Sequence, residues 1–242
     1  ALASAGIKYI PIKETRKFLT RKIDSAARRK LTRLTDTFAT RTIQKYIARS
    51  FTDNYGTLVV SDENLAGTSR EFCLSGRLYP RLSERLRILK KCTAGYNVNI
   101  FFSIRNYVNF FPAIYSEYLR HNNYISFAEF FRGDVHVFSG WTQITGEIES
   151  IFGAGRVHVW QYESLQENME KVIENIISSC SVPLHYPDKI VRPSMSEKAL
   201  DEISHIGQYT NRAERKALIN QIMSEFPKGT RYKGYMPWSE DE

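Results

Sequence analysis

Arg105 stands where an apolar run, NVNIFFSIR (97–105), meets a helix-like run that continues to Arg120. A guanidinium at the carboxyl end of a buried strand, beside the amino end of the next helix, joins a fixed positive charge to free backbone N–H groups. That combination suits a phosphate. The structural use of such an arginine is to pair with a carboxylate or to cap a neighbouring helix. Two carboxylates occupy comparable places. GTLVVSDENL (56–65) carries a short apolar strand, Leu58 to Val60, that stops at Ser61, Asp62 and Glu63, and RVHVWQY (156–162) is a β-branched strand followed by Glu163 and Ser164.

The elements between these residues must position them. Helix-like segments over 107–120, over 141–152 (Trp141, Ile144, Ile148, Ile151 and Phe152 on one face, stopped by Gly153) and from Met169 to Cys180 alternate with the three strands. Strands separated by helices predict an α/β fold with a parallel central sheet and flanking helices. In such sheets ligands bind beyond the carboxyl ends of the strands, where Glu63, Arg105 and Glu163 all fall.

The chain has 242 residues, 42% of them hydrophobic and 25% charged, enough for one sizeable core, and we expect one domain over 1–242. No apolar run is long enough for a transmembrane segment, and the first twenty residues lack the apolar stretch of a secretory signal, so a soluble, cytoplasmic protein is expected. The chain opens on Ala1, and ALASAG reads as a helix end capped by Gly6, so the domain is expected to be N-terminally incomplete. Cys73, Cys92 and Cys180 show no metal-type spacing and argue against a disulfide framework. The net charge of +8 is concentrated: residues 13–49 hold twelve Lys or Arg against Glu14, Asp24 and Asp36. There Leu19, Ile23, Ala27, Leu31, Leu34 and Phe38 recur at helical spacing, which predicts an amphipathic helix or helix pair with a basic outer face. That face is either a solvated surface or one that attracts an acidic glycan, a nucleotide, a membrane or a nucleic acid. Nucleic acid is the poorest fit, since no aromatic-interleaved basic ribbon or zinc-finger spacing accompanies the charge.

Taken in order, SDENLAG (61–67), RNY (105–107), YSEYLR (115–120), Trp141, IFGAGRVHVWQYESL (151–165) and RPSMSEKAL (192–200) resemble the sulfotransferase family, particularly its bacterial carbohydrate-type members. The likeness runs over about residues 1–200, and the order is more specific than any single motif. It implies a P-loop-NTPase-like sulfotransferase architecture. It also implies an enzyme that moves a sulfuryl group from 3′-phosphoadenosine 5′-phosphosulfate to a hydroxyl, carried on a small molecule or glycan, without a metal. By this resemblance Arg105 matches the arginine that holds the donor's 3′-phosphate, and Glu63 the carboxylate that serves as acceptor base. Glu63 could otherwise cap a helix or pair with the basic helices.

The chain departs from the family pattern in two places. The family serine eight residues after the arginine is here Ala113, preceded by Pro112, which leaves Ser116, one helical turn on, as the substitute phosphate ligand. The Gly-, Lys- and Thr-containing loop that cradles the 5′-phosphosulfate has no counterpart in the sequence, and neither G-x-x-x-x-G-K-[ST] nor a strand-to-helix G-x-G-x-x-G is present. ALASAGIKYIP is similar to the helix end and turn that follow this loop, which reads as truncation. Tyr232, Lys233 and Gly234 are similar to a basic loop over the donor nucleotide, and read locally as a turn. The rival readings are a non-catalytic binding protein on the same fold and a different nucleotide-dependent transferase such as a kinase, which would need magnesium. The five histidines show no ligand spacing, so no metal site is expected; His158 reads as a packed or surface residue and His121 as a helix cap. The terminal WSEDE reads as a solvated acidic end.

Overall fold

The computed structural model describes residues 2–28, 33–51, 54–131, 140–177, 194–206 and 211–238. Leu31, His136, Cys180 and His185 lie outside the described residues, as does the side chain of Leu34. The chain divides into two compact units. The first comprises Ala1–Thr68, Leu78–Ile104 and Phe138–His185, and the second Ser69–Arg77, Arg105–Val137 and Tyr186–Glu242.

The first unit is α/β. Its strands are β1 (Ile7–Ile10), β2 (Thr57–Val60), β3 (Ile100–Ile104) and β4 (Val157–Gln161). All pairing is parallel, but the strands form two two-stranded sheets, β1 with β2 and β3 with β4, rather than one central sheet. β2, β3 and β4 fall where the apolar runs predict them. β1 is new: the stretch read as a helix end is a single 3-10 turn, Ala3–Ala5, closed by Gly6 at φ 70°, and the chain then extends. Gly6 adopts that left-handed conformation without a side-chain clash, and its carbonyl accepts from Gly56 N (2.9 Å) and Thr57 N (3.1 Å), starting the β1–β2 register.

The basic segment is a helix pair. α1 (Ile12–Thr15), a π-helical turn (Arg16–Thr20) and α2 (Arg21–Arg28) run continuously, and α3 (Arg33–Ser50) returns. Leu19, Ile23 and Ala26 pack with Ile43 and Ile47, and with Ile88, Leu89 and Cys92 of α5 (Leu82–Cys92). Phe38, expected on the apolar stripe, is 76% exposed. α2 and α3 are separate helices, so one helical phase does not span both, and Ile43 and Ile47 take core positions. Tyr79, Phe102 and Trp141 make a ring cluster that seats α8 (Trp141–Phe152) on β3, and Lys90 Nζ donates to the Ile151 carbonyl at that helix's end. α9 (Leu165–Ile176) follows β4.

The second unit contains α4 (Ser69–Ser75), α6 (Tyr107–Leu119), α7 (Phe127–Phe130), α10 (Glu197–Ser204) and α11 (Arg212–Glu225). Its centre is aromatic: Phe72 lies within 5.4 Å of the Phe111 ring and 5.2 Å of Phe130, and Tyr115 lies 5.2 Å from Phe130. α6 is entered through Asn106, whose side chain accepts from Val108 N (2.9 Å). Pro112 sits inside this helix and removes the N–H that the Val108 carbonyl would accept. Trp238 supplies the replacement, donating from Nε1 at 2.9 Å. The residue at the head of the expected solvated tail is therefore a packing element, its ring 5.3 Å from Phe127 and 5.5 Å from Phe131.

Candidate functional site

β2 ends at Val60, and the polar residues after it turn at once. Asp62 caps a 3-10 turn, Glu63–Leu65, by accepting from Asn64 N at 3.1 Å. The Asp62 side chain is fully enclosed and takes three donors, the others being Arg16 Nε (3.2 Å) and Thr20 Oγ1 (2.6 Å). Arg16 reaches past it to Glu63 Oε1 at 2.6 Å. One guanidinium thus spans both carboxylates and fixes the Glu63 side chain, which remains 66% exposed. Burial pulls the Arg16 guanidinium down, but Glu63 and Asp62 outweigh it and hold the group above its ordinary value. Arg16 and Thr20 open and close the π-helical turn, a wider winding that recurs at functional sites. Gly67 closes the segment under the Tyr79 ring, where a Cβ would lie 2.8 Å from Tyr79 Cδ1.

Arg105 follows β3 directly and precedes the Asn106 cap of α6, the placement read from the sequence. It belongs to the second unit and is half-buried. The 13-residue helix behind it presents its positive end at this junction. Ser116 is in the same unit but plays a packing part. It is 2% exposed, its Oγ donates to the Pro112 carbonyl (2.8 Å) and accepts from Met195 N (3.2 Å), and both capacities of the hydroxyl are thereby used. Glu63 belongs to the first unit, so the three candidate residues divide between the two units. Glu163 lies in a 3-10 turn, Tyr162–Ser164, after β4.

Sequence reasoning missed two groups of side chains. Arg16 and Thr20 meet Asp62 across more than forty residues, and no local pattern in the sequence signals it. Ser103 and Trp160 oppose each other in the β3–β4 register, so they share a face. Ser103 Oγ and Trp160 Nε1 are enclosed without a hydrogen-bond partner among the described residues. Both groups lie near the carboxyl ends of the parallel strands β3 and β4.

The remaining candidates resolve locally. His158 stacks on Phe101 at 4.7 Å, and His121 Nε2 pairs with Glu117 Oε1 at 3.1 Å rather than capping α6. Gly229 N donates to the Tyr232 carbonyl (2.9 Å), and Gly234 forms an antiparallel bridge with Ser196, so residues 229–234 make a turn whose end is tied to the start of α10. Cys73 and Cys92 are buried and unbridged. Among the described residues no three His, Cys, Asp or Glu side chains converge as a metal site, and no helix is long and apolar enough to cross a membrane.

The site groups are an arginine at a helix start and an exposed carboxylate clamped at a strand end. Compared with known proteins, the chain matches no family model, no curated relative and no solved structure.

Proposed function

We propose that the protein is a sulfotransferase of P-loop-like architecture, moving a sulfuryl group from 3′-phosphoadenosine 5′-phosphosulfate to a hydroxyl of a carbohydrate acceptor. The observation that carries this reading is the place of Arg105, directly after β3 and directly before the capped N-terminus of α6. The guanidinium and the positive end of the helix dipole add there, which favours a doubly charged 3′-phosphate over a neutral ligand. Glu63 is the acceptor base. Its carboxylate takes the hydroxyl proton as the acceptor oxygen bonds to sulfur, the bridging S–O bond breaks, and 3′-phosphoadenosine 5′-phosphate departs. Arg16 positions Glu63 and keeps it from swinging away from the end of β2. No metal takes part in this scheme.

Calorimetric titration of 3′-phosphoadenosine 5′-phosphate tests the donor site. Binding should weaken about 30-fold in Arg105→Ala, the scale of one lost charge-assisted interaction. Sulfate transfer to sugar acceptors should persist with a chelator present and fall at least about 100-fold in Glu63→Gln with nucleotide affinity unchanged. A strict magnesium requirement would point instead to another nucleotide-dependent transferase. Ala113 in place of the family's serine, with Ser116 taken up in packing, favours a second reading, a binding protein without catalysis: it would take up the nucleotide through Arg105 and transfer nothing.

A further inference from the structure

We infer that the outward face of the helix pair 12–50 is a docking surface for an anionic lipid bilayer, independently of any transfer chemistry. Lys13, Lys17 and Arg21 are exposed at four-residue intervals along the first arm, and Arg41, Lys45 and Arg49 at the same interval along α3. Four residues advance an α-helix by about 6 Å and just over one turn, so each set forms a row.

The two rows share a side of the pair. Only four residues separate α2 from α3, so the arms run antiparallel. Phe18 stacks on Tyr46 at 4.6 Å, and Tyr46 Oη donates to Glu14 Oε2 at 3.3 Å, which fixes the facing positions. Lys17 and Lys45 each precede one of the stacked rings. In antiparallel helices, residues one step before the contact turn to the same side. Leu19, Ile23, Ile43 and Ile47 hold the opposite side against the core. The nearby carboxylates with described side chains do not cancel the rows. Asp24 is paired with Arg28 and Arg85, and Arg16 offsets one charge of the Asp62–Glu63 pair; Glu14 keeps its charge on this side, so the six cations of the two rows remain in excess.

Charge alone would suit any polyanion, and Phe38 narrows the choice. It is 76% exposed and stands seven residues, two turns, before Lys45, so it projects from the cationic side. An exposed phenylalanine beside lysines and arginines on a helix pair fits a surface that is anionic at the headgroups and apolar just beneath. A sulfated or uronic-acid glycan would use the cations and leave the ring in water.

Flotation of the full 242-residue chain with vesicles tests this. Pure phosphatidylcholine vesicles should leave the protein behind, while vesicles with about one third phosphatidylserine should carry it, less so as salt rises. Each cation near such a surface is worth about fivefold in partitioning, so Lys17→Glu with Lys45→Glu should lower it by more than 20-fold. Phe38→Ser should lower it severalfold without changing binding to a soluble heparin fragment. All three side chains are outside the core, so unchanged thermal melting will separate lost docking from lost folding. Equal recovery with both vesicle types, or vesicle binding indifferent to Phe38→Ser alongside tight heparin binding, would overturn the proposal and assign the rows to a soluble polyanion.

Discussion

The two units hold their buried arginines differently, Arg85 against a carboxylate and Arg215 against a main-chain carbonyl. In the first, cations meet carboxylates: Arg16 joins Asp62 and Glu63, and Arg85, 1% exposed, donates to Asp24 and to the Ala66 carbonyl at 3.0 Å. In the second, polar side chains go to the backbone: Arg215 Nη2 donates to the Leu119 carbonyl (3.0 Å), Ser196 Oγ to Phe226 (2.7 Å), Tyr115 Oη to Ile125 (2.6 Å) and Trp238 Nε1 to Val108. Ion pairs depend on the ionisation of both members, whereas a main-chain carbonyl accepts at any pH. The first unit should therefore be the acid-sensitive one. The second should depend chiefly on ring packing.

The largest effect should come from breaking that packing. Phe130 is fully buried, with the Tyr118 ring 5.3 Å away and Phe72 and Tyr115 closer still. Phe130→Ala removes a whole ring from the centre and should cost about 4 kcal/mol, read as faster amide exchange in α6 and α7. A cost under about 1.5 kcal/mol would show that the aromatic cluster is not what holds this unit.

The matching blow to the first unit is Asp24→Asn. It leaves the Arg85 guanidinium buried without its counter-charge, for about 3 kcal/mol by urea denaturation at neutral pH. Arg85→Met in the same chain should recover most of the loss, because a buried pair is replaced by apolar packing. The pH dependence has a definite sign. Burial alone raises the Asp24 carboxyl, but hydrogen bonds from Arg28 and Arg85 outweigh it and leave the group below its ordinary value. A carboxylate lowered by folding contributes stability that is complete above its unfolded value, near pH 4, and is lost as pH falls through the folded one. Acid should thus weaken the wild-type first unit and leave the Asp24→Asn, Arg85→Met protein comparatively indifferent.

The same contrast explains what could be read from the sequence. β2, β3, β4, α6 and α8 follow from local period, and Arg105 and Glu63 stand at strand ends as expected. β1 escaped because IKYI is four residues long and follows a glycine-capped turn. Phe38 was misplaced because one helical spacing was carried across two separate helices. Arg16 with Asp62, and Ser103 with Trp160, were beyond reach for another reason: tertiary approach and strand register create these pairs, and neither residue type advertises its partner. Ser116 was legible as a position on α6 but not as a hydroxyl already consumed by Pro112 and Met195.

The smallest effect is the most discriminating for the second unit. Trp238→Phe keeps a ring against Phe127 and Phe131 but removes the donor to the Val108 carbonyl, and should cost about 1 kcal/mol. Pro112→Ala restores an N–H four residues beyond that carbonyl, so the helix can satisfy it internally. If the indole serves the orphaned carbonyl, the cost of Trp238→Phe should nearly vanish in the Pro112→Ala background, a coupling of about 1 kcal/mol in a double-mutant cycle. Additive costs would mean that Trp238 contributes only its ring, and the backbone-directed pattern of the second unit would lose its clearest member.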